Sequence, residues 1–180
     1  MLQITVPGIE LYDEKNEEFI YLKERTLQLE HSLVSISKWE SKWCKPFISK
    51  TDKTQEEVMD YVRCMTITQN VEPDVYKRLT TQNYEEIENY INAPMTATTF
   101  KEGRLGKKGS GVVTNEIIYY WMVALNIPSA YEKWHLNRLL TLIRVCNEKN
   151  APAKKMSKSE IMKNNAALNA ARRQQLNSKG

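Results

Sequence analysis

Residues 113–149 constrain this chain more than any other stretch. They contain TNEIIYYWMVALNI, a break at Pro128-Ser129, and then AYEKWHLNRLLTLIRVCNEK, a pattern that predicts two helices folded back on each other. Thr114 stands where its hydroxyl can cap the first, directly before the apolar run over 117–127. Ser129 and Glu132 have the spacing of a reciprocal capping box for the second. At about 100° per residue, Leu136, Leu139, Leu140, Ile143 and Cys146 share one sector of that second helix, and Tyr131, Trp134, Leu142 and Val145 form a stripe beside it. Together they span roughly two-thirds of the circumference, wider than the apolar stripe of an ordinary surface helix. The first helix covers one sector. The other must meet further parts of the chain, as in a central core helix, or another molecule.

At 180 residues and 41% hydrophobic, the chain is long enough for one domain with a substantial core plus appendages. Its first residues, MLQITVPGIELYDE, have no basic start and no long apolar region, unlike a secretory signal. The longest apolar run, around IIYYWMVAL, is too short to cross a bilayer. The expectation is a soluble protein without membrane contact. Cys44, Cys64 and Cys146 show no C-x-x-C spacing, and only His31 and His135 stand by to complete a metal site. We therefore expect buried, reduced thiols and neither metal nor cofactor.

Along the chain, short β-rich runs at 3–6, 9–12, 19–22 and 26–30 are separated by turn formers, Pro7-Gly8 among them. From Ser32 the period changes. Leu33, Ile36, Trp39 and Trp43 fall on one side of a helix that must end before Pro46. The Trp39/Trp43 face is either an anchor to the core or a partner-binding surface. Thr54 with Glu57 opens a helix carrying Val58, Tyr61, Val62 and Met65. Pro73 suits the first turn of a brief one, and Asn83 with Glu86 marks another that Pro94 stops. The fold class is mainly α: a small N-terminal antiparallel β element over 1–31, a helical core domain over 32–149, and a basic linker with a C-terminal helix over 150–180.

Within the core domain, residues 101–111 hold all four glycines of the stretch 96–111 and several lysines, and read as a flexible basic loop. GRLGKKGSG is not a P-loop, because Gly106-Lys107 is followed by Lys108 rather than Ser or Thr and no strand precedes it. From Asn150 onward seven Lys and Arg face one Glu, a net +6, so the remainder is −2 in a chain of +4. Ser157 with Glu160 caps a final helix poor in large apolar residues. Lys154, Lys155, Lys158, Arg172 and Arg173 make this tail a candidate for phosphate contact, and a basic-tailed helical nucleic-acid-binding protein is the alternative functional class. The chain has no H-E-x-x-H, G-x-S-x-G or G-x-G-x-x-G. His135, flanked one turn away by Glu132 and Arg138, suggests a buried hydrogen-bonded network more than a catalyst. No enzyme is expected.

The segments LQLEHSLVSISKWESKWCKPF, DYVRCMTITQNVEPDVY, INAPMTATTF, TNEIIYYWMVALNIP and EKWHLNRLLTLIRVCNEKN, with the ending KKMSKSEIMKNNAALNAARRQQLNSKG, resemble tail assembly chaperones of long-tailed, siphovirus-type bacteriophages over nearly the whole chain. The resemblance implies a small, largely helical, non-catalytic protein of the infected bacterial cytoplasm, absent from the mature virion. It also implies binding to the tape-measure protein, self-association and, through a longer form made by programmed frameshift near Lys179-Gly180, contact with the tail tube protein. Client binding of this kind is a helix-in-groove problem. The apolar candidates for it are Trp39, Trp43, Tyr131, Trp134, Leu142 and Val145.

Overall fold

In a computed structural model the chain is described at residues 1–13, 17–48, 52–100, 111–151 and 157–177. It divides into two compact units, Met1–Asn147 and Glu148–Gly180. The sequence-predicted class holds: the protein is mainly helical, with a small antiparallel β element at its N-terminus and a helix near its C-terminus.

The β element is two nested two-stranded antiparallel sheets. Strands β1 (Leu2–Val6) and β4 (Arg25–Leu29) pair antiparallel, with Ile4 opposite Leu27. Nested between them, β2 (Ile9–Asp13) and β3 (Glu18–Leu22) pair antiparallel, with Leu11 opposite Ile20. Only the β1/β4 half lies on the core. Ile4, Val6, Leu27 and Leu29 point inward while Gln3, Thr5, Thr26 and Gln28 face out, the alternation of a sheet covered on one side. Between the two sheets, a Cβ on Gly8 would lie 2.9 Å from the Leu22 carbonyl oxygen and 3.2 Å from the Glu24 nitrogen, so a larger residue would force the two backbones apart.

Among the described residues six α-helices follow: α1 (Leu33–Trp43), α2 (Gln55–Met65), α3 (Pro73–Lys77), α4 (Thr81–Asn92), α5 (Asn115–Ala124) and α6 (Leu136–Asn150), the last ending just past the unit boundary. Local chemistry starts most of them. Ser32 caps α1 with Ser35, and Thr54 with Glu57 forms the expected box on α2. Pro73 sits in the first turn of α3. The box on α4 is Thr80 with Asn83, three residues before the expected Asn83–Glu86 pair; Asn83 also donates from Nδ2 to the Thr5 carbonyl, tying α4 to β1. Thr114 occupies the cap position of α5, yet its side chain makes no capping bond. Instead the buried Glu40 carboxylate accepts from the Asn115 backbone N–H at 2.8 Å and from its side-chain amide at 2.6 Å, so a charge on α1 satisfies the positive end of α5.

The continuous helix expected from Ser129 to Lys149 is two elements. A single 3-10 stretch spans Ser129–Lys133, Trp134 is extended, and α6 starts only at Leu136. The reason is long-range. Ser32 and His135 form an isolated antiparallel bridge, and the Leu136 N–H donates to the His31 carbonyl at 2.8 Å instead of to its own helix. The Ser129–Glu132 box does not form; the Glu132 carboxylate accepts from the Tyr119 hydroxyl at 2.9 Å.

The second unit contains α7 (Lys158–Leu176), opened by the expected Ser157–Glu160 box. None of its residues is buried.

Candidate protein-binding surface

His135 does not form the expected network with Glu132 and Arg138. It caps α6, its Nδ1 accepting from the Asn137 N–H at 3.3 Å, while Nε2 lies 3.0 Å from the Tyr90 carbonyl. One acceptor and one donor define the neutral tautomer with the proton on Nε2. Asn137 adds two donations, to the Ile91 and Ala93 carbonyls, so the start of α6 satisfies the free carbonyls at the end of α4. His31 stands against His135, its Nδ1 2.5 Å from the Tyr61 hydroxyl. Burial, with the His135 charge adding to it, lowers the His31 pKa to about 3. Burial likewise lowers that of His135. Both imidazoles are therefore neutral hydrogen-bonding parts of the core.

The two tryptophans of α1 also serve the core. Trp39 is 0% exposed, its indole N–H donates to the Glu57 carbonyl at 2.9 Å, and Phe47 meets its ring edge-on. This corrects its place among candidate partner contacts: α2 already covers it. Trp43 is half-buried and donates to the Asp60 carboxylate, which also holds Lys42. Lys45 pairs with Glu57 from the same side, and that hydrogen bond, ahead of the Thr54 N–H, holds the Glu57 carboxyl below its usual range.

Tyr131, Trp134, Leu142 and Val145 are all half-buried, but they share no single helix. Tyr131 and Trp134 stack at 4.0 Å on the 3-10 stretch and its cap, and the Arg138 guanidinium lies 4.0 Å from the Trp134 ring centre. Leu142 and Val145 follow one and two turns beyond Arg138 on α6. The stripe remains as a band of partly exposed apolar surface with a cation in its middle.

Further strongly exposed apolar surface lies on the β2/β3 arm. Tyr12, Phe19 and Tyr21 are 53%, 69% and 66% exposed and share one face, where the Tyr12 and Phe19 rings lie 5.0 Å apart. Ile9, Leu11 and Ile20 are exposed on the other face. An isolated two-stranded ribbon is marginal in water; here the Arg78 guanidinium clasps its base, donating to the Pro7 carbonyl at 2.7 Å and the Lys23 carbonyl at 3.3 Å. Reading the sequence as strands did not reveal this surface. The available signal was Phe19-Ile20-Tyr21-Leu22, a strand apolar on both faces with too few partners to cover them.

Of the basic tail residues, Lys158, Arg172 and Arg173 are exposed on α7; Lys154 and Lys155 lie outside the described residues, as do 101–110 of the Gly/Lys loop and Lys179-Gly180. The expectation of buried thiols fails for Cys44, which is exposed; Cys64 and Cys146 are half-buried, and all three are free. Among the described residues no group of three or more His, Cys, Asp or Glu is placed to hold a metal ion, and no helix is long and apolar enough to cross a membrane. No protein-family model, curated protein or solved structure matches the chain.

Proposed function

We propose that this protein is a non-catalytic tail assembly chaperone of a long-tailed bacteriophage. In this reading it acts in the cytoplasm of the infected bacterium, keeps the tape-measure protein soluble while the tail tube forms, and is left out of the mature virion. The observation that carries the reading is the amount of aromatic surface a folded scaffold leaves in water: Tyr12, Phe19 and Tyr21 on a clasped arm, with the Tyr131–Trp134 stack and Leu142 and Val145 as a second band. Rigid, exposed aromatics offer large contact area at low conformational cost, which suits a client whose long amphipathic helices must be kept from one another. The sequence resemblance supplies the identity of that client.

Co-expression with the tape-measure protein tests the reading. The client stays in the soluble fraction when this protein is present, and solubility falls when Tyr12, Phe19 and Tyr21 are all replaced by Ser, or when Trp134→Ala and Leu142→Ala are combined, with the circular dichroism spectrum unchanged. A client that precipitates regardless of the wild-type protein removes the reading. A longer product that reaches the tail tube protein requires a slippery heptamer and an overlapping frame at the codons for Lys179-Gly180, which the nucleotide sequence settles.

The exposed cations of α7 favour the alternative of nucleic-acid binding. It requires an affinity that falls steeply with salt and is lost when the chain is cut at Asn150.

A further inference from the structure

We propose that two copies of this chain join through the outer edges of their β3 strands, turning two arms into one four-stranded antiparallel sheet. Among the described residues β2 and β3 form a sheet of two strands only, so the outer edge of each is unpaired. Such an edge is a template for another strand unless charge, proline or a bulge blunts it. The middle of β3 is Phe19-Ile20-Tyr21, with none of these.

The sequence of β3 selects its mate. An antiparallel pairing on a two-fold axis at Ile20 places Phe19 opposite Tyr21 of the second copy, and Tyr21 opposite its Phe19. Both lie on the face that already carries Tyr12. The joined sheet then has one face with three aromatic residues from each copy, in rows where cross-strand aromatic pairs are favourable. The same axis sets the acidic tip of one arm beside the basic base of the other. Glu17, the left-handed turn residue (φ 52°) just before β3, and Lys23, just after it, then lie at opposite ends of the shared edge, so each Glu17 falls near Lys23 of the second copy and two-fold symmetry makes this pair twice. Glu17 and Lys23 are exposed. The β2 edge lacks this match, since an axis at Leu11 would set Glu10 against Tyr12 and bring no opposite charges level. Charge and ring positions therefore agree on one register, on one edge, with a second copy as the occupant.

This inference stands apart from the client-binding reading, because it uses the strand edge and the arm's ends while client contact uses the ring faces. Sedimentation of the full chain across a concentration series tests it. The wild-type chain dimerises; Ile20→Lys, which brings two cations together at the axis, abolishes the dimer. Glu17→Lys and Lys23→Glu each raise the dissociation constant roughly 2- to 30-fold, from the loss of two symmetry-related pairs, and the double exchange restores it. Both residues are exposed, so the exchange leaves the fold intact. A wild-type chain that stays monomeric overturns the proposal. So does a dimer indifferent to Ile20→Lys, or single charge reversals that the double exchange fails to rescue.

Discussion

The imidazole rings of His31 and His135 meet edge to face, 5.1 Å between centres, at the junction where β4 passes into α1 and α6 begins. Burial disfavours a second, charge-bearing proton on either ring. Both pKa values lie below the ordinary 6.5, that of His31 at about 3, so the unfolded chain takes up protons first as pH falls. The stability these groups contribute is whole above about pH 6.5 and is lost toward pH 3, at about 1.4 kcal/mol per pH unit for His31 alone. Urea midpoints at about pH 7 and pH 5 therefore differ, with the lower value at pH 5, and His31→Gln flattens the difference. Equal midpoints for the wild-type chain would refute this account.

Glu40 is the second buried junction. Its carboxylate accepts from the Phe47 N–H and from both nitrogens of Asn115, which is 75 residues away. Replacement by Ala strands three donors and costs about 3 kcal/mol, against a smaller loss for Glu40→Gln, which keeps one acceptor oxygen. Thermal or urea unfolding of the two variants separates them; equal losses would show that packing rather than hydrogen bonding holds the site.

Trp39 and Trp43 are four residues apart and have different duties. Trp39→Ala empties a fully enclosed site and costs about 3–5 kcal/mol. Trp43→Ala removes a half-exposed ring and one bond to Asp60, for about 1–2 kcal/mol. Comparable denaturation midpoints would contradict the burial of Trp39.

Arg78 holds the arm without belonging to it. Arg78→Ala loosens residues 9–22 at their base, seen as faster amide hydrogen exchange in β2 and β3, while the global unfolding free energy falls by about 1 kcal/mol or less. Exchange unchanged in the arm would mean that pairing within the ribbon suffices.

Much of the fold was legible locally. Capping at Thr54 and Ser157, the proline start of α3, and the strand segments all depend on residues within four positions of each other, and pattern reading placed them. The Asn83–Glu86 box was displaced by a local competitor, since Thr80, three residues earlier, claimed Asn83. The unbroken helix from Ser129 failed because its competitors lay outside the window: Tyr119 claimed Glu132, and the His31 carbonyl claimed the Leu136 N–H. The candidate surface was half legible. The stripe of Tyr131, Trp134, Leu142 and Val145 has partly exposed members, whereas the arm's aromatics were visible only as strand residues.

Periodicity and chain chemistry alone determined that this protein is mainly helical, where most elements begin, and that its positive charge gathers after Asn150. Tertiary structure decided that Trp39 is enclosed, that the helix after Ser129 breaks at Trp134-His135, and that the β2/β3 half of the β element stays in water. Short-range steric and hydrogen-bonding rules act over one turn of chain. Which apolar face is covered depends on what the rest of the chain brings to it, as when the carbonyl of His31 receives the N–H of Leu136 and ends any continuous helix there.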